Sequence, residues 1–151
     1  MTRQARRGLV LVGVCIGVVA GLGSYTFVYA KGASYLQNDP EACRNCHVMQ
    51  GQFDAWTRSS HHAVAVCNDC HTPHDFIGKY TTKALNGWHH SLAFTLRKMD
   101  GPILIKERNR RVTERACRGC HGEIVQGIDT AHPRGGAMSC TRCHPNVGHL
   151  H

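Results

Sequence analysis

The chain has 151 residues, enough for one domain and a membrane segment, and large apolar side chains are scarce after its first thirty positions. Nine cysteines and twelve histidines far exceed ordinary usage, so something other than side chains must supply much of the core. The formal charge of +8 would in isolation suggest nucleic acid or an acidic membrane surface as a partner. The cofactor that the cysteines predict, described below, offers another explanation for this charge.

An apolar segment, residues 8–30, comes first in the chain. It contains no charged residue and, at about 1.5 Å per residue, can cross a roughly 30 Å hydrocarbon layer as a helix. Arg3, Arg6 and Arg7 precede it, so the positive-inside rule predicts a cytoplasmic N-terminus and an exported remainder. A cleaved signal peptide is the alternative, but the segment is longer than the usual signal-peptide apolar region. We therefore predict that residues 1–30 persist as a single-pass anchor in the inner membrane.

Glycines recur at every fourth position within this segment. Gly13, Gly17 and Gly21 lie on one helical face, which predicts a homo-oligomer through the membrane helix, although glycine is common in membrane helices generally. Cys15, in the same segment, has no partner cysteine nearby and is expected to be an inert thiol.

The other eight cysteines form four C-x-x-C-H motifs in an exported domain, residues 31–151. The motifs are Cys43-x-x-Cys46-His47, Cys67-x-x-Cys70-His71, Cys117-x-x-Cys120-His121 and Cys140-x-x-Cys143-His144. The first two motifs are spaced almost as the last two are, which predicts two modules, about 40–75 and 114–151, joined by a connector.

The connector is predicted to be partly helical. Apolar residues at steps of three and four form one stripe, made of Leu85, Trp88, Leu92, Leu96 and Met99. This stripe either covers the core or lies at the membrane surface with Trp88 near the headgroups. Because no strand pattern appears, the expected fold class is mainly α and irregular.

The C-x-x-C-H motif has the chemistry of covalent haem attachment. Its two thiols can add to the two vinyl groups of one haem, and the adjacent histidine can reach the iron. Zinc ribbons do not require a histidine after every pair, and disulfides do not explain the two-residue separation. We therefore predict four covalently bound haem c groups that form much of the core. Their eight propionates would carry roughly −8, so the basic charge is largely internal compensation and no nucleic-acid partner is expected.

Each low-spin haem also needs a second axial ligand. His47, His71, His121 and His144 are the proximal candidates, and eight other histidines remain. Among those eight, His62 and His149 each lie five residues from the nearest motif, too close to reach the opposite face of that motif's own haem, so each should serve another haem. Met49, two residues after His47, either packs on a porphyrin or binds the first iron in place of His47.

These features resemble the NapC/NirT family of membrane-anchored multihaem quinol dehydrogenases, and within it the small subunits of cytochrome c nitrite reductase. The resemblance covers nearly the whole chain. It is carried by the anchor, by Cys43-x-x-Cys46-His47-x-Met49, by residues 60–74 around the second motif, and by the last motif with His149 beyond it.

The resemblance implies a cytoplasmic-membrane protein with its haem domain in the periplasm. Such a protein oxidises menaquinol and passes electrons to a periplasmic reductase, here the pentahaem catalytic subunit of nitrite reductase in nitrite ammonification. It further implies Met49 as ligand of the first haem, His62 of the third and His149 of the second. In the family the distal ligand of the last haem can come from the partner subunit; His132 is the internal alternative.

The family's quinol-site lysine falls on Lys83, whereas its acidic residue falls on His90. His90 is therefore either the proton acceptor or a ligand of the first haem. On a helix these two positions, seven apart, share a face. The competing functions are an anchored carrier that serves a nitrate- or trimethylamine-oxide-type reductase without its own quinol site, and a terminal reductase. The latter would need an open iron site with acid-base groups, and the sequence has no such pattern.

Overall fold

The structure, a computed structural model, describes residues 2–96, 101–131 and 138–149. Helices account for most of these residues and none of them lies in a strand, so the predicted mainly α fold is confirmed. The chain divides into two compact units, Met1–Gln37 and Asn38–His151. Met99 and His132, singled out above, lie outside the described residues.

Unit 1 is dominated by a long apolar helix, α1 (Arg3–Tyr29). At its start the Thr2 hydroxyl oxygen accepts a hydrogen bond from the Ala5 N–H at 3.3 Å. No side chain of α1 is buried, and the mean hydropathy of its most apolar window is 2.1. Within the described residues this is the one helix long and apolar enough to cross a membrane, in agreement with the predicted anchor.

The chain turns sharply where α1 ends. Lys31 takes the left-handed conformation with φ of 51°, and a short 3₁₀ helix, Gly32–Leu36, follows. A Cβ atom on Gly32 would overlap the ring of Phe27, so this close return of the chain requires glycine. Unit 1 therefore extends to Gln37, beyond the Ala30 at which the apolar segment ends.

Unit 2 is built of short helices and one long one. In chain order they are the 3₁₀ helices Pro40–Asn45 and His47–Met49, then α2 (Gln50–Thr57), α3 (Cys67–His71), α4 (Phe76–Thr95), α5 (Glu107–Cys120), α6 (Gly122–Ala131) and α7 (Cys140–Cys143). The predicted connector helix is α4, which begins nine residues before Leu85.

The protein core of unit 2 is very small. Among the described residues the buried apolar side chains are Ala42 and Ala55 alone, and no large side chain is fully buried. A unit of this length normally buries several large apolar side chains. The chain thus fits the prediction that prosthetic groups form much of the core.

Candidate functional site

Each C-x-x-C pair lies in or beside one helical turn. The second motif is α3 itself, the third ends α5, the fourth is α7, and the first runs through the end of the 3₁₀ helix Pro40–Asn45. Residues three apart on a helical turn lie on the same side of it. Both thiols of a pair can therefore reach one group on that side.

The four motif-bearing helices contact one another in sequence order. The 3₁₀ helix Pro40–Asn45 packs on α3, α3 packs on α5, and α5 packs on α7. Thiols meet at two of these contacts, because Cys43 hydrogen-bonds Cys67 and Cys117 hydrogen-bonds Cys140. The four motifs form one unbroken series.

The thiol of Cys43 also shows which charge lies nearby. Its hydrogen bond with Cys67, opposed by burial and reinforced by the positive charge of Lys83, lowers the pKa of Cys43 to about 7. Lys83, on α4, therefore lies near the first motif.

A carboxylate on α5 fixes the start of α7. Glu114 accepts hydrogen bonds from the Ser139 hydroxyl at 2.6 Å, the Cys140 N–H at 2.7 Å and the Thr141 N–H at 3.2 Å. Burial alone would raise the pKa of Glu114, but these hydrogen bonds outweigh it and lower the pKa to about 2. Glu114 thus joins the third motif to the fourth, and the sequence analysis did not single it out.

The histidine of the second motif, His71, lies opposite a second histidine, His149. The rings of His71 and His149 have centroids 5.8 Å apart and planes within 6° of parallel. Two imidazoles on one metal, with bonds of about 2 Å and roughly 1 Å from nitrogen to ring centre, have centroids at about this separation. Burial, then the charge of His149, lowers the pKa of His71 to about 4, which keeps its ring in the neutral form that binds metals.

The third motif has the ring of His61 beside it, and the prediction that His62 binds the third haem stays untested. The ring of His61, not His62, lies 6.0 Å from that of His121, at 73° to it. The ring of His62 instead packs edge-on against Trp56 at 4.7 Å. The physical reason is the tight turn after α2, in which the His62 N–H bonds to the Ser59 carbonyl and neighbouring side chains point to different sides.

The two candidate iron ligands at the first motif differ in their exposure to solvent. His47 is exposed, whereas Met49 is half-buried. The Met49 N–H donates to the Cys46 carbonyl at 2.8 Å, which keeps Met49 close to the cysteines of the motif. Both side chains remain candidates, because the histidines of the third and fourth motifs, His121 and His144, are exposed as well.

Both predicted quinol-site residues lie on α4. Burial and the charge of Lys79 lower the pKa of Lys83, while Cys43 acts in the opposite direction. Desolvation, then His89 and Lys106, lowers the pKa of His90, so its ring is neutral near pH 7 and able to accept a proton.

The fourth motif is open to solvent in this chain. Cys143 and His144 are both exposed. His132, the predicted internal ligand, lies outside the described residues, so its assignment stays a prediction.

The thiols of the four motifs are all free. All nine cysteines lie in the described part of the chain, and all are free of disulfides. Within residues 2–96, 101–131 and 138–149, no three His, Cys, Asp or Glu side chains converge as a metal site. The paired thiols, each followed by a histidine, suit covalent haem attachment.

Comparison with known proteins gives a consistent result. The profile of the NapC/NirT cytochrome c family, N-terminal region, matches residues 2–151. Cytochrome c-type protein NrfH of Wolinella succinogenes is 38% identical over 146 residues, covering 90% of this chain and 82% of that protein. Cytochrome c nitrite reductase subunit NrfH of Nitratidesulfovibrio vulgaris is 34% identical, covering 97% and 86% respectively.

A solved structure is also similar. It is the crystal structure of the cytochrome c nitrite reductase NrfHA complex bound to the HQNO inhibitor, with a TM-score of 0.64, 32% identity, and coverage of 94% of this chain and 90% of that one. Together with the four attachment motifs, these similarities establish that the chain belongs to the NapC/NirT cytochrome c family and carries covalently attached haem c.

Proposed function

We propose that this protein is a membrane-anchored tetrahaem quinol dehydrogenase, which oxidises menaquinol at the periplasmic face and passes electrons to the pentahaem catalytic subunit of cytochrome c nitrite reductase. The observation that carries the proposal is the unbroken contact order of the four motif-bearing helices. A series of this kind has two ends, and the residues at each end differ in their chemistry.

When bound, each haem c takes up and releases a single electron at its iron, which is chemistry that the polypeptide lacks. The four C-x-x-C-H motifs would each hold one such group through two thioether bonds. Because Cys43 lies beside Cys67 and Cys117 lies beside Cys140, the groups on neighbouring motifs would be close to one another.

Side chains from distant parts of the chain would complete the axial ligation. The parallel rings of His71 and His149 support this pair for the second haem, and the ring of His61 beside His121 supports that pair for the third. For the first haem, the burial of Met49 supports thioether ligation, which raises the reduction potential relative to imidazole.

The first motif would be the quinol end of the series. Only the twelve residues 31–42 connect it to the apolar segment, so a lipid-soluble donor can reach it. Lys83 lies near Cys43 and would stabilise negative charge that develops on the quinol oxygen. His90, two turns further along the same face of α4, would take the quinol proton.

The fourth motif would be the partner end. It lies at the end of the helix contact order opposite the first motif, where an electron would leave the series. Two relatives are named NrfH, and the solved relative is a complex with a second nitrite reductase subunit, which supports the same type of partner here.

The first test compares two lysine variants of the purified, haem-loaded full chain. We expect Lys83→Leu to slow haem reduction by a menaquinol analogue roughly tenfold to a hundredfold, because an electrostatic stabiliser of the transition state is lost. Lys79→Leu, one turn earlier on α4, is the matched control and should keep the parent rate. Dithionite should reduce all three proteins equally.

Equal quinol rates for Lys83→Leu and the parent would remove Lys83 from the site. A parent that dithionite reduces but quinol does not would instead favour an anchored carrier without its own quinol site. The partner is tested by adding nitrite to the reduced chain. We expect nitrite to reoxidise the haems only after the pentahaem subunit is added.

A further inference from the structure

The long helix α4 has an exposed apolar stripe. It contains Ile77, Leu85, Trp88 and Leu92 and continues into Leu96 at the helix end. Trp88 is 65% exposed and Ile77 is 78% exposed, values unusual for large apolar side chains on one helical face. The described part of the chain therefore does not cover the stripe, so we expect another apolar surface to cover it.

The stripe points away from the sides of α4 that face the rest of unit 2. Asn86 accepts hydrogen bonds from Arg108 and Asn109 on α5, and at about 100° per residue it lies roughly 160° from Trp88 around the helix. Lys83, which lies near Cys43 of the first motif, is about 140° from Trp88 on the same basis. The group held by the first motif is thus on a different side from Trp88.

The charges on α4 indicate what covers the stripe. From Phe76 to Thr95 there is no Asp or Glu, and the other faces carry Lys79 and Lys83, with the exposed rings of Phe76 and Phe94 beside Lys83. Arg97 and Lys98 follow the helix in sequence. A cationic polar face opposite an apolar stripe with a central Trp is the pattern of helices that lie in the surface of an anionic membrane.

The segment between the apolar segment and the first motif is short. Twelve residues, 31–42, link the apolar segment to the first motif, and fully extended they span at most about 40 Å. Further along the chain, Ile103, Leu104 and Ile105 are also exposed. We propose that α4 is an interfacial helix, which lies in the plane of the membrane surface with its Trp88 stripe among the lipids of an anionic bilayer.

The test measures thiol reactivity in the haem-loaded full chain. The eight motif cysteines form thioether bonds to haem and therefore have no free thiol, which leaves Cys15 alone. All variants therefore also carry Cys15→Ala, so that the introduced cysteine is the one free thiol. Trp88→Cys and Leu92→Cys report on the stripe. Ile124→Cys on α6 is the matched control, because Ile124 is 66% exposed. Each protein is placed, one copy per disc, in nanodiscs of phosphatidylethanolamine and phosphatidylglycerol, and haem content per polypeptide checks its assembly.

Two maleimides are compared on each variant, one lipid-soluble and one sulfonated. We expect the sulfonated reagent to label position 88 at least about tenfold more slowly than the control position, because a charged reagent is excluded from apolar lipid. The lipid-soluble reagent should label position 88 at least about tenfold faster than the sulfonated reagent does, because only the lipid-soluble reagent enters the lipid. Its rate at position 88 should still be lower than at the control position, because apolar lipid disfavours the reactive thiolate. Leu92→Cys should behave like Trp88→Cys. If the Trp88→Cys protein does not assemble, the labelling of Leu92→Cys tests the proposal in its place.

The remaining outcomes overturn the proposal. Equal labelling by the sulfonated reagent at positions 88, 92 and 124 would mean that the stripe is open to water. Labelling at positions 88 and 92 that is equally slow with both reagents would mean that protein or haem covers the stripe. Neither outcome would alter the quinol test of Lys83, so the two proposals fail independently.

Discussion

His61 and His62 are neighbours in sequence but lie in different surroundings. His61 faces His121 at 6.0 Å, whereas His62 packs on the ring of Trp56. We expect His61→Ala to remove the sixth ligand of the third haem and leave that iron high-spin, because a small side chain cannot reach it. Electron paramagnetic resonance of the oxidised protein measures this change.

His62→Ala is the control for that variant. It should keep every haem low-spin, and the only contact that it removes is the packing of the His62 ring against Trp56. If His62→Ala produces the high-spin signal and His61→Ala does not, the earlier assignment of His62 is the correct one.

At the scale of elements, Glu114 links two motif-bearing helices. Hydrogen bonds from Ser139, Cys140 and Thr141 lower its pKa to about 2, from the ordinary 4.5. A carboxyl whose pKa is lowered in the folded state stabilises that state above pH 4.5 and loses this effect as pH falls toward 2. We expect Glu114→Gln to reduce the free energy of unfolding by about 1–2 kcal/mol at neutral pH, allowing for the carboxylate's partial exposure.

The measurement is urea unfolding followed by circular dichroism at several pH values. The difference between Glu114→Gln and the parent should shrink between pH 4.5 and about 2. Glu123→Gln, which changes an exposed carboxylate on α6, should match the parent throughout. A Glu114→Gln difference that stays constant across this range would show that the carboxylate charge is unimportant.

At the scale of the whole molecule, one intact-mass measurement tests both the haem count and the anchor. Four C-x-x-C-H motifs should add four haems, on the order of 600 Da each, to a chain that still contains residues 1–30. The mature protein should carry both features, because the attachment motifs are complete and the apolar segment exceeds signal-peptide length. A mass that fits fewer haems, or a chain that begins after Ala30, would contradict the corresponding expectation.

The sequence by itself determined the features that depend on neighbouring residues. An uninterrupted apolar run is enough to form α1, since backbone hydrogen bonding within a helix is local. A C-x-x-C-H motif specifies covalent attachment because both thiols and the histidine come from one helical turn. The absence of strands from the described residues followed in the same way from the lack of any alternating pattern.

Only the tertiary structure decided which distant groups meet. His149 reaches His71, and Glu114 reaches the start of α7, across long stretches of chain. Two adjacent histidines, 61 and 62, have the same local sequence signal, and the turn after α2 alone determines which of them faces His121. Axial ligation and helix capping at these positions depend on the path of the backbone between the motifs, and spacing along the chain does not specify that path.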